Sequence, residues 1–329
     1  MLWMIVRAPV LHRLSAGRNT LKIDRGGRSR CDPRFLPICG LYAILFNMLL
    51  IRDHSDSLTM VACTPFAGAP NSMTKNAQPF FVSVAREVLL LMDLHSHLVS
   101  TEIIGFLAGH WDVASKHINV QAAFPCRSIH TGADHVNVEM DPDAELEVRR
   151  KIKERELRIV GWYHSHPSFQ PDPSLVDLEN QKNYQRLFRD EDSGDEPFIG
   201  AIVGPYDVRL PDSCSVINWF YVSNHPEERG LPKQVKFELG ESCAPLTCLD
   251  SALELISEYK QHPDRLRLDE PWRPSSAESR IDKLALSLRQ RMSSATMAAS
   301  SDPLVIQRED TNKENDEFLA RVRENLLIA

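Results

Sequence analysis

The sequence predicts an α/β protein that continues into a helical extension. Two observations carry the class. Short runs of strand character, wholly apolar or alternating in polarity, recur from Ile103 to Leu239. Segments with the spacing of amphipathic helices lie between them and dominate after residue 240. A third observation is compositional. Of 329 residues, 25% are charged and 43% hydrophobic, the balance of a globular chain with a sizeable core.

Residues 1–75 read as a leader outside the folded core. Residues 1–35 are arginine-rich without a period, and Leu36 to Ile51 is almost wholly apolar. That stretch is short for a membrane span, which needs about 20 residues. It also lies far from the start for a cleaved signal peptide. A signal anchor and a buried helix are open readings. The favoured one is a disordered or non-conventional leader, with translation starting at Met60 or Met73, so membrane attachment is not expected.

Residues 76–240 form the predicted main folded domain. Val84 to Leu98 has helical spacing, and Ile103 to Leu107 reads as a strand with Glu102 at its entrance. Ile118, Val120, Ala122 and Phe124 alternate as a half-buried strand, and Val136, Val138 and Met140 repeat the pattern. Asp141 caps a charged helix over 142–158, with Pro142 in its first turn. Ile159 to Tyr163 is a buried strand. Leu175 to Phe188 is a helix, followed by the acidic linker RDEDSGDEP. Phe198 to Val203 and Ser215 to Val222 are strands, and Val235, Phe237 and Leu239 alternate as the last one. Residues 241–292 are the helical extension, with helices over 246–260 and 277–292. Residues 293–329 are expected to be mostly disordered, ending in a short helix through Phe318, Leu319, Val322 and Leu326.

The chemistry concentrates between Ile159 and Asp177. His164 and His166 follow the apolar run and are two apart, so in extended backbone their rings share a face. Pro167, Pro171 and Pro173 make a turn. Ser174 and Asp177 then open a helix whose start can bring Asp177 back to the histidines. Two imidazoles and a carboxylate suit Zn²⁺ with a fourth position left for water. Ser174-x-x-Asp177 is equally a capping box, and both readings are compatible. Ser165 should point away from the histidines. The tripeptide recurs as His95-Ser96-His97 on a helical pattern, where residues two apart do not face each other. That copy is expected to be a helix end with exposed or half-buried histidines.

His164-Ser165-His166-Pro167, six residues, Ser174, two residues, Asp177 resembles the complete metal motif of the JAMM (MPN+) zinc metalloprotease family. EIIGFLAGHWD, AFPCRS, VEMDPD and PFIGAIVGPY extend the resemblance over about 77–239, with most similarity to the MPN domain-containing and Myb/SWIRM/MPN histone deubiquitinase group. The resemblance implies an MPN sandwich of cytidine-deaminase-like type, a mixed sheet flanked by helices. It implies one Zn²⁺ per chain held by His164, His166 and Asp177. It also implies Glu102 as general base toward the zinc-bound water and Ser174 as hydrogen-bond donor to the substrate carbonyl oxygen. The implied activity is hydrolysis of isopeptide bonds to ubiquitin. Implied partners are ubiquitin or a ubiquitinated protein such as a histone, and a partner subunit. Loops at CRSIHTGADH and after the 215–222 strand correspond to ubiquitin-contacting insertions of the family.

Other classes fit less well. A non-catalytic MPN scaffold or ubiquitin-binding subunit would lack part of the ligand set, and nothing is missing. A zinc deaminase would need P-C-x-x-C, which does not occur. The net charge of −7 argues against a general nucleic-acid binder. Seven dispersed cysteines without a CxxC pair fit reduced thiols in nucleus or cytoplasm.

Overall fold

The computed structural model describes residues 59–129, 138–240, 245–293 and 305–327. The apolar stretch at 36–51, most of the CRSIHTGADH loop and residues 294–304 of the tail lie outside them. Among the described residues, nine strands form one mixed sheet flanked by six α-helices. This is the α/β class read from the sequence.

The strands are β1 (Thr64–Pro65), β2 (Phe81–Val84), β3 (Ile104–Asp112), β4 (His117–Cys126), β5 (Arg158–Ser165), β6 (Ile199–Gly204), β7 (Val216–Val222), β8 (Pro232–Gln234) and β9 (Glu238–Leu239). Their order across the sheet is β1-β8-β7-β6-β5-β3-β4-β2-β9. The β3–β4 and β3–β5 pairs are antiparallel, whereas β5–β6 is parallel. Parallel neighbours need a crossover. Helix α3 (Leu175–Leu187) supplies it, and the turn over residues 166–174 joins its N-terminus to the carboxyl end of β5.

Each face of the sheet buries its own core. Helices α2 (Pro142–Glu154) and α3 cover one, where Val148, Ile152 and Leu178 join Phe106, Trp162 and Phe198. Helices α1 (Arg86–Ser96), α4 (Leu249–Glu258), α5 (Arg280–Ser293) and α6 (Val305–Leu327) cover the other. There Met92, Ile256, Leu288 and Phe318 join Leu107, Val160 and Tyr163. The β3–β5 register shifts between Leu107 and Ala108. Beyond that shift Trp162 and His164 lie on the α3 side. Gly161 lets β5 approach β6, because a Cβ there would lie 2.5 Å from the Ile199 carbonyl oxygen.

Several sequence expectations are corrected. Phe81–Val84 is a strand, and the helix begins only at Arg86. Alternation over four residues is hidden by the helical period that follows. Helix α2 ends at Glu154 rather than 158, since Glu156 adopts a left-handed φ of 57° that stops it. Met140 makes only an isolated bridge to Ser128, and residues 136–137 of that expected strand are outside the described residues. The expected last strand is two, β8 and β9, on opposite halves of the sheet, pairing β7 and β2. Three residues, Val235 to Phe237, link them, and such a link spans at most about 14 Å, so the sheet is curled. Gln78 holds this crossing, donating to the Lys236 carbonyl at 2.9 Å and accepting its N–H at 2.8 Å. The terminal helix is longer than expected, at 23 residues.

The leader reading also needs correction from residue 59 onward. Thr64–Pro65 pairs with β8, and Gly68 bridges Ala77. The N–H groups of Ala67 and Gln78 donate to the carbonyls of Asn76 and Gly68. No helix among the described residues is long and apolar enough to cross a membrane.

Candidate metal centre

His164 and His166 stand at the carboxyl end of β5, 1% and 2% exposed. Alternation turns both rings to one face, and their Nε2 atoms lie 3.2 Å apart. The Asp177 carboxylate spans the pair, with Oδ1 3.3 Å from His164 Nε2 and Oδ2 3.6 Å from His166 Nε2. One ligand atom from each residue lies within 4.8 Å of the others. Among the described residues this is the group that could hold a metal ion.

Neighbours fix each ring. His166 Nδ1 lies 2.9 Å from the Gln170 carbonyl oxygen, which can only accept, so the proton sits on Nδ1 and the Nε2 lone pair faces the site. Phe169 stacks on His166, with centroids 4.4 Å apart at 27°. Trp162 stacks on His164 at 4.7 Å and 17°, and its indole N–H donates to Gln181 Oε1 at 2.7 Å. Burial pushes the His164 ring toward its neutral, ligand-competent form, although Asp177 opposes this. By sequence Trp162 reads as core and flank. Its position two before His164 is the signal for its stacking role. Phe169 and the Gln170 carbonyl carry no comparable signal.

Ser174 is the N-cap of α3, and Asp177 completes the capping box expected from the sequence. The Asp177 N–H donates to Ser174 Oγ at 3.1 Å. Asp177 Oδ2 accepts from the Ser174 N–H at 2.8 Å and its hydroxyl at 2.7 Å. The cap therefore occupies Oδ2 and leaves Oδ1 toward His164. A carboxylate in the first turn of a helix is also favoured by the helix dipole.

Glu102 enters from the neighbouring strand. It precedes β3, whose Ile104 lies opposite His164. The residue is 6% exposed, and Oε1 makes no hydrogen bond among the described residues. Burial first, and the Asp177 charge second, hold its carboxyl well above the ordinary range. Ser165 anchors this entry. Its Oγ accepts the Ile103 N–H at 3.1 Å, while its own N–H donates to the Ile103 carbonyl at 3.1 Å. Ser165 thus turns away from the ligand group, as alternation requires.

The donor set fits zinc. Two imidazoles with converging Nε2 atoms and a carboxylate oxygen make three protein ligands of the kinds zinc takes. Glu102, buried with Oε1 unpartnered among the described residues, is near enough to feel the Asp177 charge.

The second His-Ser-His departs from its expectation. His95 and His97 are both fully buried. His95 is held between the hydroxyls of Tyr163, 3.0 Å from Nδ1, and Tyr259, 2.8 Å from Nε2. His97 Nδ1 lies 2.7 Å from the Asp93 carbonyl oxygen. The tripeptide ends α1 against α4 and α5, so packing of the extension covers it. It does not join the metal-ligand group.

The sequence matches known proteins over the residues that build this sheet. Residues 81–190, which contain all five site residues, match the family described as JAB1/Mov34/MPN/PAD-1 ubiquitin protease. An MPN domain-containing protein of Danio rerio is 34% identical over 243 residues, covering 72% of this chain and 50% of that protein. Deubiquitinase MYSM1 of Homo sapiens is 32% identical over 251 residues, 74% of this chain and 29% of that protein. The histone deubiquitinase MYSM1 of Xenopus laevis is 29% identical over 279 residues, 83% and 31%. The chain spans half or less of the length of these curated relatives. With its mixed sheet, its motif and these relatives, the chain belongs to the JAB1/Mov34/MPN/PAD-1 family, in the group that holds the MPN domain-containing proteins and MYSM1.

Proposed function

We propose that this chain is a zinc metallopeptidase that hydrolyses isopeptide bonds to ubiquitin. The observation that carries it is the meeting of His164, His166 and Asp177 near the buried Glu102, whose Oε1 has no hydrogen-bond partner among the described residues. Both parts are needed for hydrolysis, and a scaffold needs neither. The relatives named deubiquitinase support the substrate class.

His164, His166 and Asp177 would hold the ion. A zinc ion bound there supplies a Lewis acid and lowers the pKa of its water to about 7. Glu102, in its ionised form, would accept a proton at Oε1, which has no hydrogen-bond partner among the described residues, and return it to the leaving amine. Ser174 contributes a hydroxyl next to the ligands. It has one proton, now given to Asp177 Oδ2, so donation to a substrate carbonyl requires that bond to open. Trp162 and Phe169 keep the two imidazoles from rotating.

Ubiquitinated histone is the proposed substrate, on the strength of a relative named as a histone deubiquitinase. Nucleus or cytoplasm is the proposed location, and a partner subunit is proposed to complete substrate recognition. The test is zinc content and cleavage of a ubiquitin isopeptide substrate by the full chain and by Glu102→Gln. About one zinc per chain with cleavage, lost in Glu102→Gln while zinc stays, supports the reading. Folded protein that takes up no zinc rejects it in favour of the scaffold.

A further inference from the structure

A segment outside the family match is tied to the proposed site. Residues 59–61 precede the matched range of 81–190. They run antiparallel to the start of α3, with Met60 opposite Ser174. Two backbone bonds flank that serine. The Val61 N–H donates to the Pro173 carbonyl at 2.8 Å, and the Leu175 N–H donates to the Thr59 carbonyl at 3.1 Å.

These bonds answer specific needs. Leu175 is the first residue of α3, so its N–H has no partner within the helix. Pro171 and Pro173 have no N–H, and the turn they form presents carbonyls that need outside donors. Val61 supplies one. Asn218 supplies the other, donating to the Pro171 carbonyl at 2.9 Å, and its amide also lies 3.5 Å from Cys63 Sγ in the same segment. Val61 and Cys63 pack against the core beneath α3. Thr64–Pro65 then joins β8, which anchors the segment to the sheet.

We propose that Thr59–Val61 is a positioning strap that fixes the backbone on either side of Ser174, and through the capping box sets Asp177. The inference rests on the proposed function for the role of Ser174, but the strap itself is open to a test that needs no substrate. It assigns a positioning role to residues that the matched domain does not contain.

The experiment compares the full chain with Val61→Pro and Val61→Ala. Proline removes the N–H and biases the preceding residue toward the extended backbone that the Met60 bridge already has. Alanine keeps the N–H and loses more of the side chain. Amide exchange is read at Leu175 and deeper in α3, with zinc content and cleavage alongside. The expected result is Leu175 exchange about tenfold faster in Val61→Pro, with no change deeper in the helix. The turnover rate should fall about tenfold with zinc retained, while Val61→Ala stays near the parent. Unchanged Leu175 exchange overturns the strap, and so does faster cleavage in Val61→Pro, which would make the segment an inhibitor. If Val61→Pro does not fold, exchange in the unaltered chain decides. Val61 and Leu175 should then be protected alike, and a freely exchanging Val61 beside a protected Leu175 overturns the proposal. If the parent takes up no zinc and cleaves nothing, the proposed activity fails, and the exchange arm still decides the strap.

Discussion

At the scale of single residues, the site separates roles that the motif superimposes. Asp177 gives Oδ2 to the helix cap and Oδ1 to the histidine side. Asp177→Asn retains an oxygen that can accept the Ser174 N–H, but loses the negative charge. Zinc content should therefore fall from about one per chain to near none, while the melting temperature of the metal-free protein moves by only a few degrees. A large drop in the metal-free melting temperature would show that Asp177 serves mainly as a cap. Ser174→Ala should do the reverse. It should cost about 1 kcal/mol of stability in denaturant unfolding, retain zinc, and lower turnover by about 100-fold. The approach of His164, His166, Ser174 and Asp177 was legible in the sequence, because period-two alternation and a three-residue capping interval are local geometry, whereas Glu102 was carried by the family resemblance alone. Phe169 and the Gln170 carbonyl were not, because a turn's path decides which ring or carbonyl reaches His166.

At the scale of elements, the clearest departure is the end of α1. His-Ser-His on a helix predicts divergent rings, and divergent they are, but the extension buries both. His95 meets Tyr259 just past α4, and His97 meets Asp93, which accepts from Ser287 of α5 at 2.5 Å. Burial alone would raise the Asp93 carboxyl, but Arg291, His97 and the serine hydroxyls outweigh it and hold it below its usual range. Burial, with His262 nearby, lowers His95 to about 3. Burial also lowers His97, to about 4, against the pull of Asp93. An unfolded histidine titrates near 6.5. Between that value and the folded ones the unfolded chain binds more protons, so stability rises with pH. The contribution of these rings is thus complete above about pH 6.5 and is lost as pH falls toward 4 and then 3. Urea midpoints at pH 7, 6 and 5 should show this fall. His95→Phe should flatten it by about one proton while costing roughly 1–3 kcal/mol at pH 7, since two buried tyrosine hydroxyls lose their partner. Parallel slopes for parent and variant would place the acid sensitivity elsewhere.

At the scale of the whole molecule, the extension completes a core rather than trailing from one. Phe318 of α6 is 1% exposed and shares a cluster with Leu284 and Leu288 of α5, Ile256 of α4 and Met92 of α1. Phe318→Ala should cost roughly 3–5 kcal/mol. Helical circular dichroism and tryptophan fluorescence should still report one coincident transition. Separate transitions would mean that the extension folds apart from the sheet. The sequence by itself determined the α/β class, the helices that flank the sheet and the approach of His164, His166, Ser174 and Asp177, because each depends on periodicity or on spacing along a few residues. Tertiary structure alone decided the curled sheet that parts β8 from β9, the burial of His95 and His97, and the entry of residues 59–78 into the fold. The physical reason is common to all three. Which backbone groups pair, and which side chains lose water, depends on segments far apart in the chain, and no local pattern records their meeting.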